Sequence, residues 1–178
     1  MALITKGITM TWDETANSNK PSHTIMTALG KNDTAHYSDG VYTFYNLMEI
    51  GEINANPGAA SSGYDQIEVT TLADSKHMFV NGLVANDAGS VNEITLKFLY
   101  EPKLFNLLNE IIIAEGIMEE DGVVDAASTY LIKIPNGGKF TVKGTFGNLK
   151  LDSATVNSAL TFTVGLKVTD IEFNHLSV

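Results

Sequence analysis

The sequence predicts a mainly β protein, a β-sandwich or partly open barrel with one flanking α-helix and a long loop near the N-terminus. Three observations carry this. Several stretches alternate apolar and polar residues with period two, an Asn-Gly turn joins two of them, and one stretch alone has helical spacing. With 178 residues and 44% hydrophobic content, the chain suffices for one domain, 1–178, with its own core. No internal repeat or linker composition divides it.

The elements follow in order. Ile4, Ile8, Met10 and Trp12 alternate with Thr5, Gly7, Thr9 and Thr11, which reads as a half-buried strand. Trp12, the single tryptophan, belongs to its apolar face and hence to the core. Residues 13–40 are rich in Asn, Ser, Thr, Asp and Gly and read as a long polar loop. Such stretches are uncommon inside compact domains unless they serve a function. Residues 41–52 read as a strand with aromatics at its start, and Asn56-Pro57-Gly58 breaks the pattern. Alternation resumes over 64–72, with Ile67 and Val69 opposite Gln66, Glu68 and Thr70. A short strand is expected at 78–83, and another at 92–100, where Ile94, Leu96, Phe98 and Tyr100 oppose Glu93, Thr95 and Lys97.

The helix begins at Pro102, a residue suited to the first helical position, and Gly116 suits its stop. Leu104, Leu107, Leu108, Ile111 and Ile112 recur between them at a spacing that buries one face. At roughly 1.5–3 kcal/mol per buried side chain, that face must pack on a sheet. Glu119-Glu120-Asp121-Gly122 forms an acidic turn. Tyr130, Ile132 and Ile134 then lead through Pro135-Asn136-Gly137-Gly138 to Phe140, Val142 and Phe146, a hairpin by its turn residues. The final strand has Leu160, Phe162, Val164, Leu166 and Val168 on one side and Thr161, Thr163, Lys167 and Thr169 on the other.

Charge and composition narrow the function. The formal net charge is −10, and all 11 basic residues are lysine. Arginine supplies the planar fork that grips phosphate and guanine, so an arginine-free acidic chain should repel nucleic acid rather than hold it. The charge is uneven. Residues 129–178 carry five lysines against three acids, a net +2, which leaves −12 on residues 1–128. Such asymmetry suits one face of a subunit meeting another. Cysteine is absent, which removes disulfides and thiolate chemistry and fits a reducing compartment. The N-terminus has no long apolar stretch of the secretory kind, and no run approaches a membrane span.

No motif carries catalysis. The four histidines, His23, His36, His77 and His175, are isolated in sequence, and no HExxH pattern occurs. Nucleophile elbows, Walker loops and dinucleotide fingerprints are missing. Asp33 and Asp39 do not match a calcium loop. The expectation is therefore a non-enzyme with no metal and no cofactor.

The ordered series of segments carries the strongest signal. Ile4-Thr5-Lys6-Gly7-Ile8 opens the chain, and Asn56-Pro57-Gly58 follows an extended strand. Ile67-Glu68-Val69-Thr70-Thr71-Leu72-Ala73-Asp74 precedes Phe79-Val80-Asn81-Gly82-Leu83. Ile94-Thr95-Leu96-Lys97-Phe98-Leu99-Tyr100 runs into the helix; Ile134-Pro135-Asn136-Gly137-Gly138 and Val156-Asn157-Ser158-Ala159-Leu160-Thr161-Phe162 come after it. Across residues 3–12 and 41–173 this series resembles the major tail proteins, or tail tube proteins, of long-tailed bacteriophages with non-contractile tails. The resemblance implies hexameric rings of this chain stacked into a tube, a virion component made in the host bacterial cytoplasm. It implies partners beyond the chain itself: a tape-measure protein in the lumen, tail terminator and initiator proteins, and DNA passing through non-specifically. No membrane is involved.

Two groups of residues become candidates on that reading. Glu49, Glu52, Glu68 and Glu93 occupy polar strand positions and are expected to line the lumen or its rim. Asp13, Asn17, Lys20, Lys31 and Asp39 belong to the 13–40 loop, which is expected to reach a neighbouring ring. Two alternatives compete. A tube protein of a contractile tail or secretion apparatus shares the fold in kind. A carbohydrate-binding sandwich module would display clustered exposed aromatics, which a single core tryptophan does not supply.

Overall fold

In a computed structural model, the chain is described for residues 7–53, 66–68, 79–81, 93–120, 126–135 and 137–174, with 66–68, 79–81 and 118–120 described as backbone alone. The expected features at 4–6, 54–65, 69–78, 82–92, 121–125, Asn136 and His175 lie outside the described residues.

The fold is mainly β, as the alternation predicts. An eight-stranded antiparallel sheet has the order β2-β3-β1-β8-β9-β10-β7-β4. Its strands are β1 (Thr9–Asp13), β2 (Tyr37–Ser38), β3 (Val41–Thr43), β4 (Leu47–Ile50), β7 (Glu93–Leu99), β8 (Ser128–Ile134), β9 (Gly138–Leu151) and β10 (Thr161–Asn174). A separate pair joins β5 (Gln66–Glu68) to β6 (Phe79–Asn81).

The two 14-residue strands β9 and β10 organise everything else. They pair with each other over most of their length. The first half of β9 also pairs with β8, and the first half of β10 with β7. Because the strands are antiparallel, those halves lie at opposite ends of the ribbon. One end therefore continues into β8, β1, β3 and β2, and the other into β7 and β4. Register shifts between Thr163 and Gly165 and between Val168 and Asp170 interrupt the ribbon, and such irregularities bend strands. The two ends of the sheet order come back together through the chain itself. Only residues 44–46 separate β3 from β4, and four Cα steps reach about 15 Å at most. The sheet is thus curled like a sandwich, without closing into a hydrogen-bonded barrel.

The inward positions of the alternating strands fill the interior. Met10, Trp12, Tyr42, Phe44, Ile94, Leu96, Phe98, Tyr130, Ile132, Val142, Phe146, Phe162, Val164 and Leu166 are buried in one cluster. Helix α2 (Pro102–Glu120) adds Leu104, Leu107, Leu108 and Ile111. Gly116 does not end α2 as the sequence suggests. It sits on an exposed part of the helix with open space around its Cα, so it costs only its propensity, about 1 kcal/mol, and Ile117 continues the turn.

The largest departure from expectation is at residues 13–40, which are structured. They contain a second helix, α1 (Pro21–Ala28), a 3₁₀ turn at Gly30–Asn32, and β2 with the turn that leads into β3. Pro21 stands at the helix start, and buried Ser22 and Met26, one turn apart, hold it to the body. Trp12 Nε1 donates to Ser22 Oγ at 2.9 Å, and Ser22 Oγ shares a short hydrogen bond with Ser128 Oγ. Asn17 is fully buried. Its Nδ2 donates to the carbonyls of Asp13 and Thr129, and its Oδ1 accepts from the Thr129 amide at 2.7 Å. Asp39 and Gly40 both have positive φ, 52° and 79°, the turn that an Asp-Gly pair favours between two strands.

The ribbon's bend depends on Gly144. A Cβ there would collide with the Lys167 carbonyl, a backbone atom with little freedom to move. At Gly147, an added Cβ would meet only the Lys167 Cε at 3.7 Å, ordinary contact. Gly144→Ala should therefore lose about 1–3 kcal/mol in urea denaturation, the usual range for overpacking, while Gly147→Ala stays close to wild type. Equal midpoints for the two variants would show that the close approach at Gly144 does not matter.

Candidate assembly interface

A sheet that is not closed leaves strand margins with unpaired backbone groups, which proteins must cover or use. The eight-stranded sheet has four such margins: β2 and β4 at the ends of its order, and the halves of β9 and β10 that lack a second neighbour. They are not equivalent.

Two have an outward amide taken up by the chain's own groups. At β2, the His36 carbonyl accepts from Thr43 N at 2.9 Å, so it points at β3. The trans peptide then points Tyr37 N–H away from β3, and the Asp33 carbonyl accepts it at 3.0 Å. The hydroxyl of Tyr37 donates to Glu14 at 2.8 Å, pinning the corner. At β9, the unpaired half begins beyond residue 144. There the buried carboxylate of Glu115, delivered by α2, accepts from Phe146 N at 3.0 Å.

The other two are open among the described residues. β4 pairs only with β7, and Met48 on it is 57% exposed. Beyond residue 167, β10 pairs only with β9, and Phe173 is 45% exposed, its ring 4.9 Å from that of Phe140.

The predicted lining residues can be placed on this frame. Glu49 lies on β4, exposed, directly across from Lys97. Glu93 lies on β7, exposed, directly across from Lys167. Opposite charges on facing strands favour pairing and reduce the local field. Glu52 is exposed just past β4, where Gly51 N donates to the Thr95 carbonyl at 2.7 Å. Glu68 ends β5, and its side chain lies outside the described residues. Glu49 and Glu93 thus share one part of the sheet, and Glu68 belongs to the smaller one.

The 13–40 candidates have mostly local roles. Asp13 Oδ1 accepts from the amides of Thr15 and Ala16. Asn17 is spent inside the body, as described. Lys20 precedes α1 as its N-cap residue. Lys31 Nζ donates to Glu14 at 2.9 Å, and Asp39 is a turn residue exposed to solvent. The Asp-Gly turn and the Pro21-to-Gly30 interval were the sequence signals for this ordered segment.

Electrostatics adds no reactive centre. Lys31 beside Glu14 holds its carboxyl below 4.5, helped by the Tyr37 hydroxyl and by His23. Thr161 and Thr163 hydroxyls hold Asp152 low. Desolvation pushes Tyr37 and Tyr45 up to about 12. His36 Nδ1 sits 2.9 Å from the Asp33 carboxylate, and its ring stacks on Tyr45 at 3.7 Å, a contact that braces the β2 corner. Among the described residues no cluster of three metal-ligating side chains occurs, and no helix is long and apolar enough to cross a membrane.

No family model and no curated protein matches the chain. Among solved structures it is similar to a chain from the tail of an empty gene transfer agent particle, obtained by helical refinement with C6 symmetry. Identity is 12% and the TM-score 0.46, over 97% of this chain and 99% of that one. A chain from the virion of the native gene transfer agent particle is 11% identical, with a TM-score of 0.42 over 97% and 99% of the two chains.

The Glu14 cluster generates a pH prediction. A carboxyl whose folded pKa is depressed stabilises the fold above its unfolded pKa of about 4.5, and that contribution is lost as pH falls through the folded value. The Tm difference between wild type and Glu14→Gln should be present at pH 7 and close as the pH is lowered below 4.5. A difference that persists unchanged at pH 3 would count against an ionic role for Glu14.

Proposed function

We propose that this chain is the building block of a bacteriophage tail tube, a structural virion protein that assembles as stacked rings, six subunits to a ring, around an acidic conduit for DNA. Two supports are independent of each other. One is the ordered series of sequence segments, which resembles tail tube proteins along most of the chain. The other is the treatment of the large sheet's margins: among the described residues two have an outward amide taken up internally, and two have no such contact and carry exposed large apolar side chains. That second observation carries the reading. A large sheet that, among the described residues, engages two margins with dedicated contacts and leaves two without them fits a chain completed by copies of itself.

No residue set in the described part is arranged for chemistry, and the reading needs none. The tape-measure, terminator and initiator proteins remain the partners that a tube requires at its bore and its ends. The lumen wall on this reading is acidic on balance but not bare. Lys97 and Lys167 opposite Glu49 and Glu93 soften it, which suits a surface that DNA must slide past without sticking.

Concentrated protein imaged in negative stain should contain rings or hollow tubes. A species that sediments as a monomer at every concentration would overturn the reading. Exchanging Glu68 and Glu93 for lysine should permit assembly but slow DNA delivery, since both replacements add positive charge to positions proposed to meet the phosphates. Unchanged infectivity would remove these two from the lumen.

A further inference from the structure

Two margins of the large sheet have no internal contact on an outward amide among the described residues, and they are unlike each other. One is the outer half of β10, residues 168–174; the other is β4. They lie on different parts of the sheet order, since β7 and the first half of β10 stand between them. Two unlike surfaces that meet give a heterologous, head-to-tail contact, which closes into a ring or runs on as a filament.

The two margins match in side-chain pattern. On β10, Ile171 faces Val142 and Phe173 faces Phe140, so the core-side face is apolar, while Asp170 faces Lys143 and Glu172 faces Thr141. On β4, Leu47 faces Phe98 and Ile50 faces Leu96 on the core side, while Glu49 faces Lys97. Strands placed side by side with these faces aligned extend one apolar layer from copy to copy and cover Phe173 and Met48. Lengths agree as well. The four residues of β4 span about 13 Å at the usual strand rise, within reach of the longer β10 margin.

Resting on the proposed self-assembly, we propose that residues 169–174 of one copy add as a strand alongside Leu47–Ile50 of the next copy, and that this seam closes the ring. Main-chain hydrogen bonds supply the affinity, and the apolar face sets the alignment. The seam is bordered by carboxylates from both sides, Asp170 and Glu172 on one and Glu49 and Glu52 on the other.

The absence of cysteine makes the seam directly testable. Met48→Cys is combined in turn with Glu172→Cys, Phe173→Cys and Asn174→Cys, so that strand register does not decide the result. The full-length protein is assembled at high concentration, oxidised, and run on a denaturing gel without reductant. Neighbouring strands bring Cα atoms within disulfide range, about 4.4–6.8 Å. At least one pair should give a ladder of covalent oligomers beyond the dimer, while each single-cysteine variant stops at the dimer. Rings or tubes visible in micrographs of the same samples, with no ladder from any pair, would overturn this seam and leave the tube reading standing. Monomers alone for wild type and variants would overturn both.

Discussion

The fold depends on one long antiparallel ribbon, β9 with β10, being bent rather than straight. Its residues serve the two arms of the large sheet in turn. Val142 and Val168 belong to the end that continues into β8, and Phe146, Phe162 and Val164 to the end that continues into β7, yet all are buried in one core. A straight ribbon of this length would carry its two ends apart and leave the core open. The bend requires close backbone approach, which is why Gly144 lies where a side chain would strike the Lys167 carbonyl. Residues 44–46 then join the far ends of the sheet order, and this short connection is feasible only because the ribbon has already turned.

Bending has a cost at the margins. Where the ribbon leaves one arm for the other, half of each long strand loses a neighbour. On the β9 half, the buried Glu115 side chain takes up the Phe146 amide from within. No comparable device sits on the β10 half among the described residues. The same distinction separates β2, whose outward N–H is taken by the Asp33 carbonyl, from β4. The asymmetry that makes the chain suited to assembly is therefore a consequence of how its core is closed.

Much of this was legible in the sequence, and the limits have physical causes. Strict alternation identified β1, β7, β8 and β10, because each has one face in the core and one outside it. Asn-Gly marked the β8–β9 hairpin, and the leucine spacing marked α2. The 13–40 segment misled because its anchors are polar. Asn17, Ser22 and Ser128 are buried through hydrogen bonds, and composition counts such residues as solvent-loving. Ile25 and Met26 give an apolar signal, but as adjacent residues they show no helical spacing over an eight-residue helix. The carboxylates posed a different difficulty. Alternation placed Glu49 and Glu93 outside the core, but their lysine partners across the strands depend on register, which a single strand does not encode.

The ordered 13–40 segment also changes what assembly would cost. A loose arm that folds on a neighbour must give up conformational entropy as it docks, roughly 1–2 kcal/mol per residue for the backbone alone. Here that ordering is already accomplished within the chain by the Trp12–Ser22–Ser128 hydrogen bonds, the burial of Met26 and the two sides of the Asn17 amide. Contacts between copies need only overcome the loss of rigid-body freedom and the ordering of surface side chains. A strand margin that is preformed on β10 and another on β4 meet the same condition, since neither has to fold before it pairs. In the proposed tube, modest contact areas would then suffice when repeated around a ring and along its length, because each subunit would be held by several neighbours at once.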